Sequence, residues 1–117
     1  MELLEVHPGR ATLAMPVRAD MTNGHGICHG GFTFALADSA FAFACNSHNV
    51  RTVAVSCDIT YTAPVREGDV LVAEGVERHL AGRNGIYDVT VRMRDAVVAE
   101  FRGRSRAIGG ALVEETA

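Results

Sequence analysis

The sequence predicts an α+β fold in which a curled, mostly antiparallel sheet of about five strands wraps one long central helix. Three observations carry this reading. Residues 32–45 hold a single charge, Asp38, among alanine, phenylalanine and leucine on every side, and a helix that is apolar all round is a buried one. The segments after it alternate apolar with polar residues, the period of half-buried strands. No second helical pattern is available to cover the first, so the strands must cover it.

Taken in order, residues 10–18 alternate, with Ala11, Leu13, Met15 and Val17 on one face. Residues 19–30 are loop, because Asn23-Gly24 and Gly26 break any regular pattern. The helix follows and ends near Asn46-Ser47; fourteen apolar residues are too few to span a bilayer and fit a core helix. Val53, Val55, Cys57, Ile59 and Tyr61 mark a long strand, and Ala63-Pro64 with Glu67-Gly68-Asp69 a turn. Residues 70–80 form a strand, and Gly82-Arg83-Asn84-Gly85 a hairpin loop. Tyr87, Val89, Val91 and Met93 share a face of the next strand; Val97, Ala99, Phe101, Gly103 and Ser105 share a face of the last. Residues 1–110 make a single domain, and 111–117 a frayed tail. Small residues along the helix, Ala35, Ala37, Ala40, Ala42 and Ala44, permit close helix–sheet approach. The sheet keeps two edges, which a lone chain this small manages poorly, so sheets are expected to pair between chains.

Composition narrows the partners. A hydrophobic share of 48%, a charged share of 21% and a net charge of -3 are those of an ordinary globular protein, with no global reason to bind nucleic acid. All 11 basic residues are arginine. No segment reaches transmembrane length, and the first residues lack the basic-then-apolar pattern of a signal peptide. Three cysteines without CxxC spacing argue for reduced thiols and a cytoplasmic location.

The chemistry starts from Asp38. A carboxylate inside an apolar helix is costly unless it has partners or a task. His29-Gly30-Gly31 stands directly before the helix, and places free N–H groups at its positive end, ready for an anion or a polarised carbonyl oxygen. Gly30 and Asp38 are eight residues apart, or ~12 Å along the axis. A catalytic carboxylate and an oxyanion donor must each lie ~3 Å from one reacting centre. If the two act together, they must come from two chains with antiparallel helices, and a two-fold axis then yields two equivalent composite sites.

Other readings of the same residues stand beside this one. Asp38 could bond loop amides; Gly30 and Gly31 could serve a tight helix entry; Asn23 could be a turn residue. His25, Cys28 and His29 offer imidazole and thiol groups, but Gly26 breaks a two-histidine face and no fourth ligand is placed, so no metal site is expected. Nothing marks Cys28 as a nucleophile. Arg102, Arg104 and Arg106 read as a solvated strand face.

Asn23, His29-Gly30-Gly31 and Leu-Ala-Asp-Ser-Ala-Phe-Ala at 36–42, continued by Ala44-Cys45-Asn46-Ser47 and Phe101-Arg102-Gly103-Arg104-Ser105, resemble the hotdog-fold acyl-CoA thioesterases. Within that family the likeness is to enzymes of phenylacetic acid degradation, and it covers the chain from about residue 10. The resemblance implies hydrolysis of phenylacetyl-CoA or hydroxylated aryl-acyl-CoA thioesters, with coenzyme A as part of the substrate and no cofactor. It implies that Asp38 is the general base or the nucleophile, that the Gly30 N–H polarises the carbonyl, that Asn23 orients water or substrate, and that His29 supports the loop. Gly31, Arg51, Arg83, Asn84 and Gly85 are the implied substrate contacts, the arginines for the CoA phosphates. The implied assembly is a dimer with composite sites, paired into a tetramer. A hotdog dehydratase or hydratase and a non-catalytic acyl-CoA-binding module remain as alternatives.

Overall fold

The computed structural model describes residues 1–112. The tail expected over 111–117 therefore lies outside the described residues from 113 onward, while Leu112 still donates its N–H to Asn49 Oδ1 at 3.1 Å. Six strands and one long helix follow in order: β1 (Glu2–His7), β2 (Arg10–Pro16), α1 (Gly30–Cys45), β3 (Thr52–Tyr61), β4 (Val70–Ala81), β5 (Asn84–Met93) and β6 (Ala96–Ala107). A single 3-10 turn, Ala19–Met21, interrupts the loop before α1.

All strand pairs are antiparallel, in the order β1-β2-β4-β5-β6-β3. The sheet has six strands among the described residues, where about five were expected. The additional one, β1, is exposed at every residue, so it has no inward-facing positions to create an alternating pattern. The four-residue loop read at 82–85 is shorter too: Ala81 pairs with Asn84 and Leu80 with Gly85, leaving Gly82 and Arg83 as the turn. Gly82 has φ +58°, the left-handed conformation that a two-residue hairpin turn requires.

The helix packs on the sheet through Thr33, Leu36, Ala37, Ala40, Phe41, Ala44 and Cys45, a single stripe at i, i+3, i+4 and i+7 spacing. Alanines keep this stripe flat, so the backbones approach closely. A Cβ at Gly75 on β4 would lie 3.1 Å from the Ala40 carbonyl oxygen. Burying Leu36 and Phe41 completely contributes about 1.5–3 kcal/mol each.

The expectation of a helix covered all round is not met within one chain. Phe32 and Phe43 are 36% and 44% exposed on the face away from the sheet. With alanine and phenylalanine on every side, the sequence carries no polar stripe to indicate which face is open. On the far edge of the sheet β3 also presents uncovered apolar groups, with Val53 43% and Val55 63% exposed. A register shift between Ala54 and Ser56 disturbs its alternation. No helix among the described residues is long and apolar enough to cross a membrane.

Candidate active site

The site is built from the first turn of α1 and the loop that delivers it. His29 is the N-cap, in an extended conformation (φ -62°, ψ 134°), and its side chain makes no capping bond. The His29 N–H donates to the Met21 carbonyl at 2.8 Å. Neither the Gly30 nor the Gly31 N–H has an acceptor among the described residues. These are the unpaired amides of a helix start, at the positive end of the helix dipole.

Asn23 shapes the loop. Its Oδ1 accepts from the N–H groups of His25 (2.8 Å) and Ile27 (3.2 Å), and its own N–H donates to the Ile27 carbonyl at 2.8 Å. That side-chain oxygen is committed to the turn, and Nδ2 remains as the group able to meet water or substrate. Cys28 faces inward: it is 8% exposed, and its Sγ donates to the His29 carbonyl at 3.4 Å. Burial pushes its thiol pKa up, with a hydrogen bond involving Thr33 acting the other way. Such a thiol is poorly suited to nucleophilic attack.

Asp38 lies midway along α1, half-buried, with no hydrogen bond or ion pair among the described residues. Its carboxylate is close enough to Cys57 on β3 and Cys45 at the helix end to act on both. Burial pushes the Cys45 thiol up to about 11 and raises Cys57 as well, and the negative charge of Asp38 adds to each.

A pocket of about 290 Å³ opens beside Gly30, lined by Cys28, Thr33, Tyr61, Val65 and Val98 among others. Tyr61 had no assigned role in the sequence. Its hydroxyl donates to the Gly30 carbonyl at 2.8 Å, a contact across 31 positions that carries no local signal. Phe32, Phe34, Phe41 and Phe43 do not line this pocket. Phe34 and Phe41 pack on Phe101, at ring-centroid distances of 5.6 and 5.8 Å.

The remaining expected contacts gather at the other end of the helix. The Arg51 and Arg83 carbonyls accept from the adjacent amides Ile108 and Ala107, at 2.8 and 2.7 Å. Both arginines are exposed there, with Asn84 beside them. Gly85 is buried instead, because a Cβ would come within 2.7 Å of Ser105 Oγ; packing accounts for that glycine. Arg83 borders a second cavity of about 110 Å³ that also touches Cys45, His48 and Tyr87. Behind it, Glu77 Oε1 accepts from the Tyr87 hydroxyl and lies 2.9 Å from His48 Nε2, which ties the helix end to β4 and β5.

A wider depression of about 490 Å³ lies on the outer face of the sheet, away from Gly30 and Asp38. Its charges are largely spent on one another: Arg102 and Arg78 both bond Asp88, and Arg104 bonds Asp58. No group of three or more His, Cys, Asp or Glu among the described residues is arranged to hold a metal ion.

A long helix seated on an antiparallel sheet in this strand order is the hotdog architecture. Residues 25–100 match the Thioesterase superfamily domain, and the chain belongs to that family. The chain is 42% identical to acyl-coenzyme A thioesterase PaaI of Escherichia coli over 116 residues, which span 98% of this chain and 83% of that protein. The structure of the Escherichia coli PaaI protein, from the phenylacetic acid degradation operon, superposes with a TM-score of 0.91 at 42% identity and covers 94% of this chain and 80% of that one. A mutant form of the phenylacetic acid degradation protein PaaI from Thermus thermophilus gives 0.88 at 41% identity, covering 92% of each chain.

Proposed function

We propose that this protein hydrolyses acyl-CoA thioesters, phenylacetyl-CoA and hydroxylated relatives first among them, at sites shared between two copies of the chain. The observation that carries the reading is the pairing of Gly30 and Gly31 amides at the start of α1 with Asp38 eight residues along the same helix, none of these three groups having a hydrogen-bond partner among the described residues. One chain holds these groups ~12 Å apart, too far for one reacting carbonyl. Antiparallel helices bring Gly30 of one copy opposite Asp38 of the other, and the β3 edge, with Val53 and Val55 exposed, offers apolar surface for the copies to meet. Two such dimers then pair into a tetramer.

In this arrangement the thioester oxygen accepts the Gly30 N–H. Asp38 of the second copy takes a proton from water as the water oxygen attacks the carbonyl carbon. Negative charge gathers on the thioester oxygen, where the helix end stabilises it. The carbon–sulfur bond then breaks, and the thiolate leaves with a proton from the protonated Asp38. Direct attack by Asp38, through a mixed anhydride that water then opens, uses the same geometry. Asn23 Nδ2 orients water or substrate, and His29 holds the loop.

The same antiparallel register carries the helix C-terminus of the second copy past Gly30 of the first. Arg51 and Arg83 of that copy then lie on the path of the CoA phosphates, with Gly31 and Asn84 nearby. No metal or redox cofactor takes part. The enzyme works in the cytoplasm, where its thiols stay reduced.

The test is thiol release from phenylacetyl-CoA by the purified protein. Free coenzyme A appearing with turnover supports the reading. Binding without release would point to a sensor module, and conversion of enoyl or 3-hydroxyacyl thioesters without thiol release to a dehydratase.

A further inference from the structure

An oxyanion donor works only when it is held to within about 0.5 Å and 10–20° of its productive direction. Gly30 is a poor residue for that task alone, because glycine is the least restrained of all backbones. Its capping neighbour contributes no side-chain bond. The His29 carbonyl, which shares the peptide plane of that amide, accepts from the Phe32 N–H at 3.1 Å, and the surroundings of Gly30 supply a further restraint.

The backbone around the Gly30 N–H is pinned on both sides. Upstream, the His29 N–H is held by the Met21 carbonyl at 2.8 Å. Downstream, the Gly30 carbonyl is held by the Tyr61 hydroxyl, also at 2.8 Å. The tyrosine ring also fills the space that a side chain at position 30 would need: a Cβ there would lie 2.8 Å from Cζ and 2.9 Å from the hydroxyl oxygen. Gly30 has no positive φ, so it is the tyrosine ring, and not the backbone conformation, that a side chain at position 30 would have to displace. Tyr61 is 49% exposed, and an exposed neutral hydrogen bond adds little to folding. The same ring borders the 290 Å³ pocket beside Gly30.

We propose that Tyr61 is a positioning residue for the thioester reaction, its ring against the Gly30 Cα and its hydroxyl on the Gly30 carbonyl together holding that residue, and with it the N–H, in place at the pocket. This rests on the assignment of Gly30 as the donor to the thioester oxygen. Tyr61→Phe keeps the ring and removes only the hydroxyl. It should lower kcat by about tenfold and leave KM within about twofold, because an interaction that matters in the transition state is lost while ground-state binding is kept. Gly30→Ala keeps the N–H but adds the Cβ that displaces Tyr61, so it should lower kcat similarly. The double variant should be no worse than the weaker single, the non-additivity expected of two changes to one contact.

A spectroscopic arm separates this inference from the reading beneath it. In an Asp38→Asn background, which should consume bound phenylacetyl-CoA roughly a hundredfold more slowly, the carbonyl stretch of the bound thioester is compared with that of the free one by difference infrared spectroscopy. We expect a shift to lower frequency, partly reversed when Tyr61→Phe is added. A clear shift in Asp38→Asn that Tyr61→Phe leaves unchanged, with kcat of the single Tyr61→Phe variant unaltered, would overturn the role of Tyr61 and leave Gly30 as donor. No shift in the Asp38→Asn protein would overturn both.

Discussion

Gly103 on β6 lies directly beneath Phe41 of α1: a Cβ at position 103 would come within 2.7 Å of three ring carbons. Phe41 is 1% exposed and packs at the same time on Tyr87 and Phe101, so its ring has nowhere to move. The helix that carries Gly30 and Asp38 is therefore seated against the sheet through a glycine. Gly103→Ala should destabilise the protein by about 1–3 kcal/mol, the range for overpacking a close-packed core. Urea unfolding with an unchanged m-value and a lower midpoint is the expected record; an unchanged midpoint would refute the seating argument.

The outer face of the sheet offers a pH dependence of stability. Hydrogen bonds from Arg102, and with them Arg78, hold the Asp88 carboxyl below its ordinary 3.8, against a smaller opposing effect of burial. A carboxyl depressed on folding stabilises the native state when ionised. That contribution is complete above 3.8 and is lost as the pH falls through the lower folded value. Asp88→Asn should accordingly lower Tm at pH 7, and the gap from wild type should close in strong acid. A gap that stayed constant from pH 7 into strong acid would show that ionisation of Asp88 was not its source.

For Asp38, a carboxylate without a hydrogen bond or ion pair among the described residues predicts a clean separation of effects. Asp38→Asn should leave circular dichroism and acyl-CoA affinity intact while kcat falls by roughly a hundredfold or more, as loss of a general base requires. Turnover near wild type in the purified variant would remove Asp38 from the reaction.

Acyl preference follows from the pocket beside Gly30. About 290 Å³ with a tyrosine wall suits a compact aryl-acetyl group better than a long straight chain, since drug-sized ligand pockets begin near 300 Å³. Phenylacetyl-CoA should exceed palmitoyl-CoA in kcat/KM. The reverse order across a chain-length series would place the acyl group elsewhere.

Much of this was legible in the residues, for physical reasons. The helix announces itself because fourteen residues carry one charge, and β4, β5 and β6 because their inward positions alternate. Strand β1 does not, since none of its residues faces the core. Nor does the open face of α1: Phe32 and Phe43 look the same in sequence as Phe34 and Phe41, and only the sheet decides that Phe41 is buried and Phe34 partly so. The candidate site divides similarly. His29-Gly30-Gly31 and Asp38 stand out by spacing, whereas the Tyr61–Gly30 contact joins residues far apart in the chain, and the approach of Arg51 to Arg83 depends on where β6 ends.

The central claim is that each site draws Gly30 from one chain and Asp38 from another, and subunit mixing tests it most directly. Asp38→Ala and Gly30→Pro are prepared separately; proline removes the N–H and is tolerated at the first helical position. It also brings a Cβ against Tyr61, which disables the same half of the site. Each homodimer should be nearly inactive. After the two are unfolded and refolded together, half the dimers should be mixed, and one of the two sites in each regains both wild-type groups, so roughly a quarter of all sites should recover. Activity that stays at the level of the separate variants, with sizing and circular dichroism confirming folded mixed dimers, would contradict a site shared between chains.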